Sequence, residues 1–199
     1  MKSKKFLSIN MLAKIGVLSA LAYVVMSFEM PLWFAPPFYK MDASESIILI
    51  GAFALGPAAA VVIEGMKILL NILFTDTTTN FVGEIANFLI GLSFVLPTVW
   101  IYQKNKSFKS AVIGMIVGTI SLTIFGALMN YFVLLPAYAF FFKMPMETLV
   151  AMGTSINPSI NSAFTFVLFA TAPFNLVKGV LCSIVAILLY KRVSPILKK

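Results

Sequence analysis

Four stretches of this chain run the thickness of a membrane with one charged side chain apiece: Ile9–Phe28, Phe81–Gln103, Phe108–Phe142 and Ala163–Tyr190. A helix needs about 20 apolar residues to cross the hydrocarbon core, so each reads as a span. A further apolar stretch, Ile47–Phe74, is broken by Gly56-Pro57, and proline ends or kinks a helix. It divides into Ser46–Leu55 and Pro57–Phe74, with proline in the first turn of the second piece. The first piece is too short to cross unaided unless the bundle encloses it or the bilayer thins. Pro136 is expected to bend the fifth span near its far end and Pro173 to interrupt the sixth, while Met144–Ser162 reads as a polar connection.

The expected fold is therefore an all-α integral membrane protein, a six-helix transmembrane bundle. Neither an internal repeat nor a linker divides residues 1–199, so one domain is expected. Composition agrees: 11% of residues are charged, against about 25% in soluble domains. The basic start, Met1–Lys5, imitates a secretory signal, but no A-x-A pattern follows and a retained first span is expected.

Net charge is +8, which would suggest nucleic acid if the cations formed one patch. They do not. Lys2, Lys4, Lys5 and Lys14 flank the start of span one, Lys104, Lys106 and Lys109 lie between spans four and five, and Lys191, Arg192, Lys198 and Lys199 close the chain. With six spans these eleven share one side, against Lys40 and Lys143 on the other. Cytoplasmic loops carry the Lys/Arg excess, which places both termini in the cytoplasm and makes the lipid bilayer, not nucleic acid, the partner of these charges. The acids Glu29, Asp42, Glu45, Asp76, Glu84 and Glu147 fall in or near the outer loops.

Ionisable groups within the membrane cost about 2.5–3.5 kcal/mol each on insertion scales, so each needs a reason. Lys178 lies in span six with Asn175 three residues before it; positions i and i+3 share a helix face, so amide and ammonium point into one space. A lysine there either contacts a ligand or pairs with an acid. Asn130 in span five lies at a similar depth, as a ligand contact or an interhelical hydrogen bond. Glu64 and Lys67 have the same i, i+3 spacing and read as a structural pair. Glu84 meets the favourable end of the helix dipole at the start of span four, with Asn80 and Asn87 as candidates for a pocket rim.

The first outer loop, Met30 to Asp42, combines aromatics with three prolines and reads as either an interfacial belt or a stiff lid. Asp42-Ala-Ser-Glu45 has the form of a helix cap with its reciprocal carboxylate. In span one, Ala13, Gly16, Ala20 and Ser27 fall on or near one stripe, suited to close helix approach, whether internal or to a partner.

Several chemistries are excluded. The chain has no histidine and a single cysteine, Cys182, so imidazole catalysis, thiolate clusters and internal disulfides are out. No carboxylate cluster suited to a metal ion, no catalytic constellation and no G-x-x-x-x-G-K-[ST] occur. Uphill transport by such a chain needs an ion gradient or an ATPase partner.

Taken together, the span-one stripe, Pro36-Pro-Phe-Tyr-Lys-Met-Asp42, Gly51-Ala-Phe-Ala-Leu-Gly-Pro57, Gly83-Glu-Ile-Ala-Asn87, Asn130 and Pro173-Phe-Asn-Leu-Val-Lys178 resemble the S components of energy-coupling factor (ECF) vitamin transporters. Asn130 with Asn175-x-x-Lys178 resembles the riboflavin-specific type. The resemblance implies a six-helix bundle holding riboflavin under the first outer loop, docked on a membrane scaffold subunit with two ATP-binding subunits. It implies Asn130, Asn175 and Lys178 on the isoalloxazine ring, with Lys40, Asp42, Asn87 and Phe38 completing the site, and Ala13, Gly16 and Ala20 as the docking stripe. Riboflavin would then be cargo, and no cofactor is expected. The family often shows an aromatic after Asp42 and a proline near position 47, where this chain has Ala43 and Ile47.

The chemistry of riboflavin suits this set: its pyrimidine edge alternates donors and acceptors, which amides answer with both and an ammonium with donors. Trp33, Phe34 and Phe38 are expected to cover its apolar end. Two other readings remain at this point: an S component for thiamine, biotin or pantothenate, and an ion-coupled carrier using Glu64 and Lys67.

Overall fold

The structure is a computed structural model that describes residues 8–75, 77 and 79–197, with backbone alone for 191–197. Lys2, Lys4, Lys5, Asp76, Lys198 and Lys199, used above to read topology, lie outside the described residues. Helices α1 (Ile9–Met26), α2 (Ser44–Leu55), α3 (Pro57–Phe74), α4 (Val82–Asn105) and α5 (Phe108–Met129) follow in order. A two-residue strand pair, β1 (Met30–Pro31) and β2 (Lys40–Met41), lies between α1 and α2. After α5 come α6 (Leu135–Phe141), α7 (Met146–Thr154), α8 (Ala163–Phe166) and α9 (Ala172–Leu197).

Among the described residues, five helical runs are long and apolar enough to cross a membrane: Ile9–Met26, Pro57–Phe74, Val82–Asn105, Phe108–Phe141 and Ala163–Tyr190. Helix α2 has 12 residues, about 18 Å at 1.5 Å per residue, well short of the hydrocarbon core. The bundle encloses it. Its buried residues include Glu45, Ile48, Leu49, Ala52 and Phe53, and it touches α1, α3, α4 and α9. Gly56 joins α2 to α3 at φ 99°, ψ 176°, a backbone region essentially reserved for glycine, and the extended ψ suits the residue before Pro57.

A π turn accompanies each of the two prolines expected to bend or interrupt a span. A π-helical turn, Asn130–Leu134, precedes Pro136, and a second, Val167–Thr171, precedes Pro173. Proline clashes with the carbonyl four residues back; a wider π turn relieves the clash and lets each helix run on instead of ending. The connection read as polar contains α7, whose Leu149 is buried against Val82, Leu134 and Tyr138.

Helices α4 and α5 pack over Gly114 and Gly118, where an added Cβ would meet the Thr98 carbonyl and the Phe94 backbone. The Thr98 hydroxyl uses that proximity, donating toward the Phe94 carbonyl at 2.7 Å and the Gly114 carbonyl at 3.1 Å. The main core joins α1 to α5 with α9 through residues such as Leu18, Ile48, Ile63, Phe94, Val99 and Cys182. At the loop side of this core, residues of α3, α4, α5 and α9 line cavities.

Candidate ligand-binding site

The loop between α1 and α2 folds over that end of the bundle. Met30 pairs with Met41 and Pro31 with Lys40, so residues 32–39 form a closed excursion whose tip turns inward. The Phe38 ring lies nearly parallel to Phe166 with centroids 6.3 Å apart, and Tyr39 stacks on Phe174 at 5.2 Å. The Tyr39 hydroxyl reaches both π turns, donating to Asn130 Oδ1 at 2.5 Å and meeting the Thr171 hydroxyl at 2.8 Å. Burial raises the Tyr39 phenol above its ordinary value, so it remains a donor.

Beneath and beside this loop are two adjoining cavities. The inner one, about 110 Å³, is lined by Phe38, Tyr39, Asn87, Asn130, Phe174, Asn175 and Lys178 among others. The outer one, about 550 Å³, is lined by Glu29, Lys40, Asn71, Thr79, Glu84 and residues of α7. Phe38, Lys40, Gly83, Asn87 and Tyr138 line both, so they form the boundary between the two. Ligand pockets for drug-sized molecules measure about 300–1,000 Å³. The inner chamber alone is too small for a tricyclic ligand, whereas the pair together is large enough.

Behind the inner wall lies a buried ionic network. Lys178 Nζ is 2.9 Å from Asp42 Oδ2 and 3.3 Å from Glu45 Oε1. Lys67 Nζ is 2.8 Å from Glu64 Oε1 and 3.3 Å from the same Glu45 oxygen, and donates to Ser44 Oγ at 3.2 Å and to Asn87 Oδ1 at 2.9 Å. The Glu64 contact is an ion pair without hydrogen-bond geometry. Burial alone would raise the Asp42 carboxyl, but the Lys178 and Lys67 ammoniums outweigh it and hold it below the ordinary carboxylate range.

Six of the seven expected site residues line the inner cavity: Asn130, Asn175, Lys178, Lys40, Asn87 and Phe38. Asp42 does not; it stands behind Lys178 as its partner. Of the two alternatives for Lys178, the structure shows the pairing with acids, and the same side chain lines the inner cavity. The i, i+3 spacing does bring Asn175 and Lys178 to one wall. Asn175 fits because Gly126 of α5 has no side chain, and a Cβ there would strike the Asn175 amide. Asn130 is already engaged, accepting from Tyr39 and donating Nδ2 to the Gly126 carbonyl at 2.8 Å.

Three expectations need correction. Asp42 and Glu45 do not form a helix cap: the N-cap of α2 is Ala43, with no side-chain cap bond. Asp42 instead accepts from the Ser44 amide at 2.8 Å and the Ser44 hydroxyl, while two buried lysines draw Glu45 into the core. Trp33 is 88% exposed and lines neither cavity, and Phe34 packs in the separate cluster of Ala35, Met41 and Phe174. Asn80 is exposed and also absent from the cavity walls, whereas Glu84 stays in the first turn of α4, accepting from Thr79 Oγ1 at 2.7 Å.

Sequence reasoning missed Tyr39 and Tyr138, tyrosines in aromatic-rich segments with no periodicity to single them out. Ala13, Gly16 and Ala20 are exposed on α1, and a Cβ on Gly16 would meet nothing within 4 Å, so this stripe serves no internal packing at that position. Among the described residues, no group of three or more His, Cys, Asp or Glu side chains is arranged to hold a metal ion.

Residues 10–190 match the family model described as ECF transporter, substrate-specific component. The chain belongs to this family. It is 37% identical to the riboflavin transporter RibU of Staphylococcus aureus over 94% of this chain and 92% of that one. It is 28% identical to the riboflavin transporter FmnP of Bacillus subtilis, over 95% and 94%. A solved structure described as the S component of a bacterial ECF transporter superposes with a TM-score of 0.72 at 37% identity, covering 94% of this chain and 97% of that chain. Members of the family are transport components and not enzymes, and this one is a multi-pass membrane protein.

Proposed function

We propose that the chain is the riboflavin-binding S component of an ECF-type transporter, delivering riboflavin inward with ATP hydrolysed on partner subunits. The observation that carries the reading is the inner cavity wall: Asn175 and Lys178 side by side, facing aromatic rings and opening into the larger outer chamber. Asn175 makes no side-chain hydrogen bond to any described residue, and Lys178 makes one, to Asp42. An ammonium has three donors, so Lys178 keeps N–H groups for a ligand. The curated relatives that carry riboflavin in their names support the choice of vitamin.

In this reading the flavin ring enters the inner chamber as Phe38 and Tyr39 yield, and its ribityl chain extends past Lys40 and Asn87 into the outer chamber. Asn130, Asn175 and Lys178 address the ring, and Asp42 holds Lys178. Six segments, counting α2, make one domain with both termini in the cytoplasm and the cavity at the outer face. The stripe of Ala13, Gly16 and Ala20 faces a scaffold subunit that carries two ATP-binding subunits.

An ion-coupled carrier using Glu64 and Lys67 is not favoured, because both side chains are sealed at 0% exposure behind the wall. A cationic vitamin such as thiamine is opposed by the Lys178 ammonium. Titration of the purified chain with riboflavin tests the proposal. Quenching of flavin fluorescence at submicromolar concentration is expected; no quenching at micromolar concentration refutes it.

A further inference from the structure

Lys67 is the one buried cation of the network that lines neither cavity. Replacing buried ion pairs by apolar residues of similar volume is often neutral or stabilising, so its presence in the core calls for a reason other than stability. Its surroundings supply one. Its hydrogen bonds run to Ser44 Oγ, Glu45 Oε1 and Asn87 Oδ1, which uses all three donors of an ammonium. Nothing remains for a ligand.

An ammonium cannot accept a hydrogen bond, so Asn87 must turn its oxygen to Lys67. Its amino group is then left for the cavity side, at the boundary where both chambers share Asn87 as lining. Glu64, three residues earlier on α3, and Glu45, from α2, hold the ammonium in place, and Glu45 reaches Lys178 as well. We infer that Lys67 is a positioning residue that locks Asn87 as a hydrogen-bond donor, so that the ligand presents an acceptor oxygen, a carbonyl or hydroxyl, at the boundary between the chambers. This inference rests on the riboflavin reading above.

A double-mutant cycle tests it. Glu64→Met with Lys67→Met removes one charge of each sign and so leaves the net charge of the network unchanged. Riboflavin affinity is measured for the unaltered chain, this paired variant, Asn87→Leu, and the combination of all three, with melting temperatures alongside. About tenfold weaker binding is expected for the paired variant and for Asn87→Leu, and no more than about a further twofold loss on combining them, because contacting pairs are non-additive. Penalties that multiply in the combination, or a paired variant that binds like the parent, overturn the inference. Asn87→Asp gives an answer even where the paired variant does not fold. It keeps an acceptor for Lys67 but replaces the donor with a second acceptor, so binding at least tenfold weaker is expected and binding within twofold overturns the inference. Failure of the unaltered chain to bind riboflavin would instead refute the reading on which this rests.

Discussion

Removal of Lys178 separates what holds the bundle together from what holds the ligand. In Lys178→Met, a side chain 10% exposed loses its charge beside carboxylate oxygens at 2.9 and 3.3 Å. Asp42 and Glu45 remain buried with one ammonium fewer, and breaking a buried pair from one side costs about 3–5 kcal/mol. For a chain of this size each kcal/mol moves the melting temperature about 2–4 °C, so a fall of about 10 °C is expected in detergent. In the proposed site riboflavin also loses a hydrogen bond from a charged donor, worth about 1.5–3 kcal/mol, so Kd is expected to rise about 10- to 150-fold. Adding Asp42→Asn restores the formal charge of the network while the ligand donor stays absent. The double variant is expected to recover most of its melting temperature and none of its affinity. Thermal unfolding and fluorescence titration on the same samples read both quantities. Recovery of tight binding in the double variant would show that Lys178 acts only as a counter-ion to Asp42.

Three further outcomes follow from the packing. Asn175→Leu removes an amide with no described protein partner, so it should weaken riboflavin binding about 2- to 12-fold, the worth of one neutral hydrogen bond, with little change in melting temperature. Gly114→Val drives a side chain into the Thr98 backbone where α4 and α5 meet, and thermal unfolding should report a loss of about 1–3 kcal/mol. Gly16→Leu meets no atom of its own chain; melting and riboflavin binding should stay unchanged, while co-purification with the scaffold subunit should fail.

Much of this was legible in the sequence, for reasons that differ by residue. Span positions followed from the length of apolar runs, because the bilayer sets a ruler that local context seldom overrides. Gly56-Pro57 was readable because the two residues have few other backbone options. Asn175 and Lys178 stood out because polar groups are scarce in an apolar helix and helical spacing fixes their common face. The π turns were hidden, since proline signals a disturbance without saying whether the helix ends or widens. Glu45 was misread for a related reason: Asp-Ala-Ser-Glu satisfies a local capping pattern, yet two lysines from α3 and α9 offer the carboxylate a stronger partner from far away in sequence. The pairing of Lys67 with Asn87 was likewise beyond reach, because it joins two helices whose relative rotation no single-sequence periodicity determines.

The most direct test of the account is an experimental structure of the chain with riboflavin bound. The flavin is expected across the two cavities with its ring in the inner one, Asn175 and Lys178 within hydrogen-bond distance of it, and the Lys178–Asp42 pair intact. A flavin bound elsewhere on the bundle, or one that reaches neither Asn175 nor Lys178, would contradict the assignment of the site.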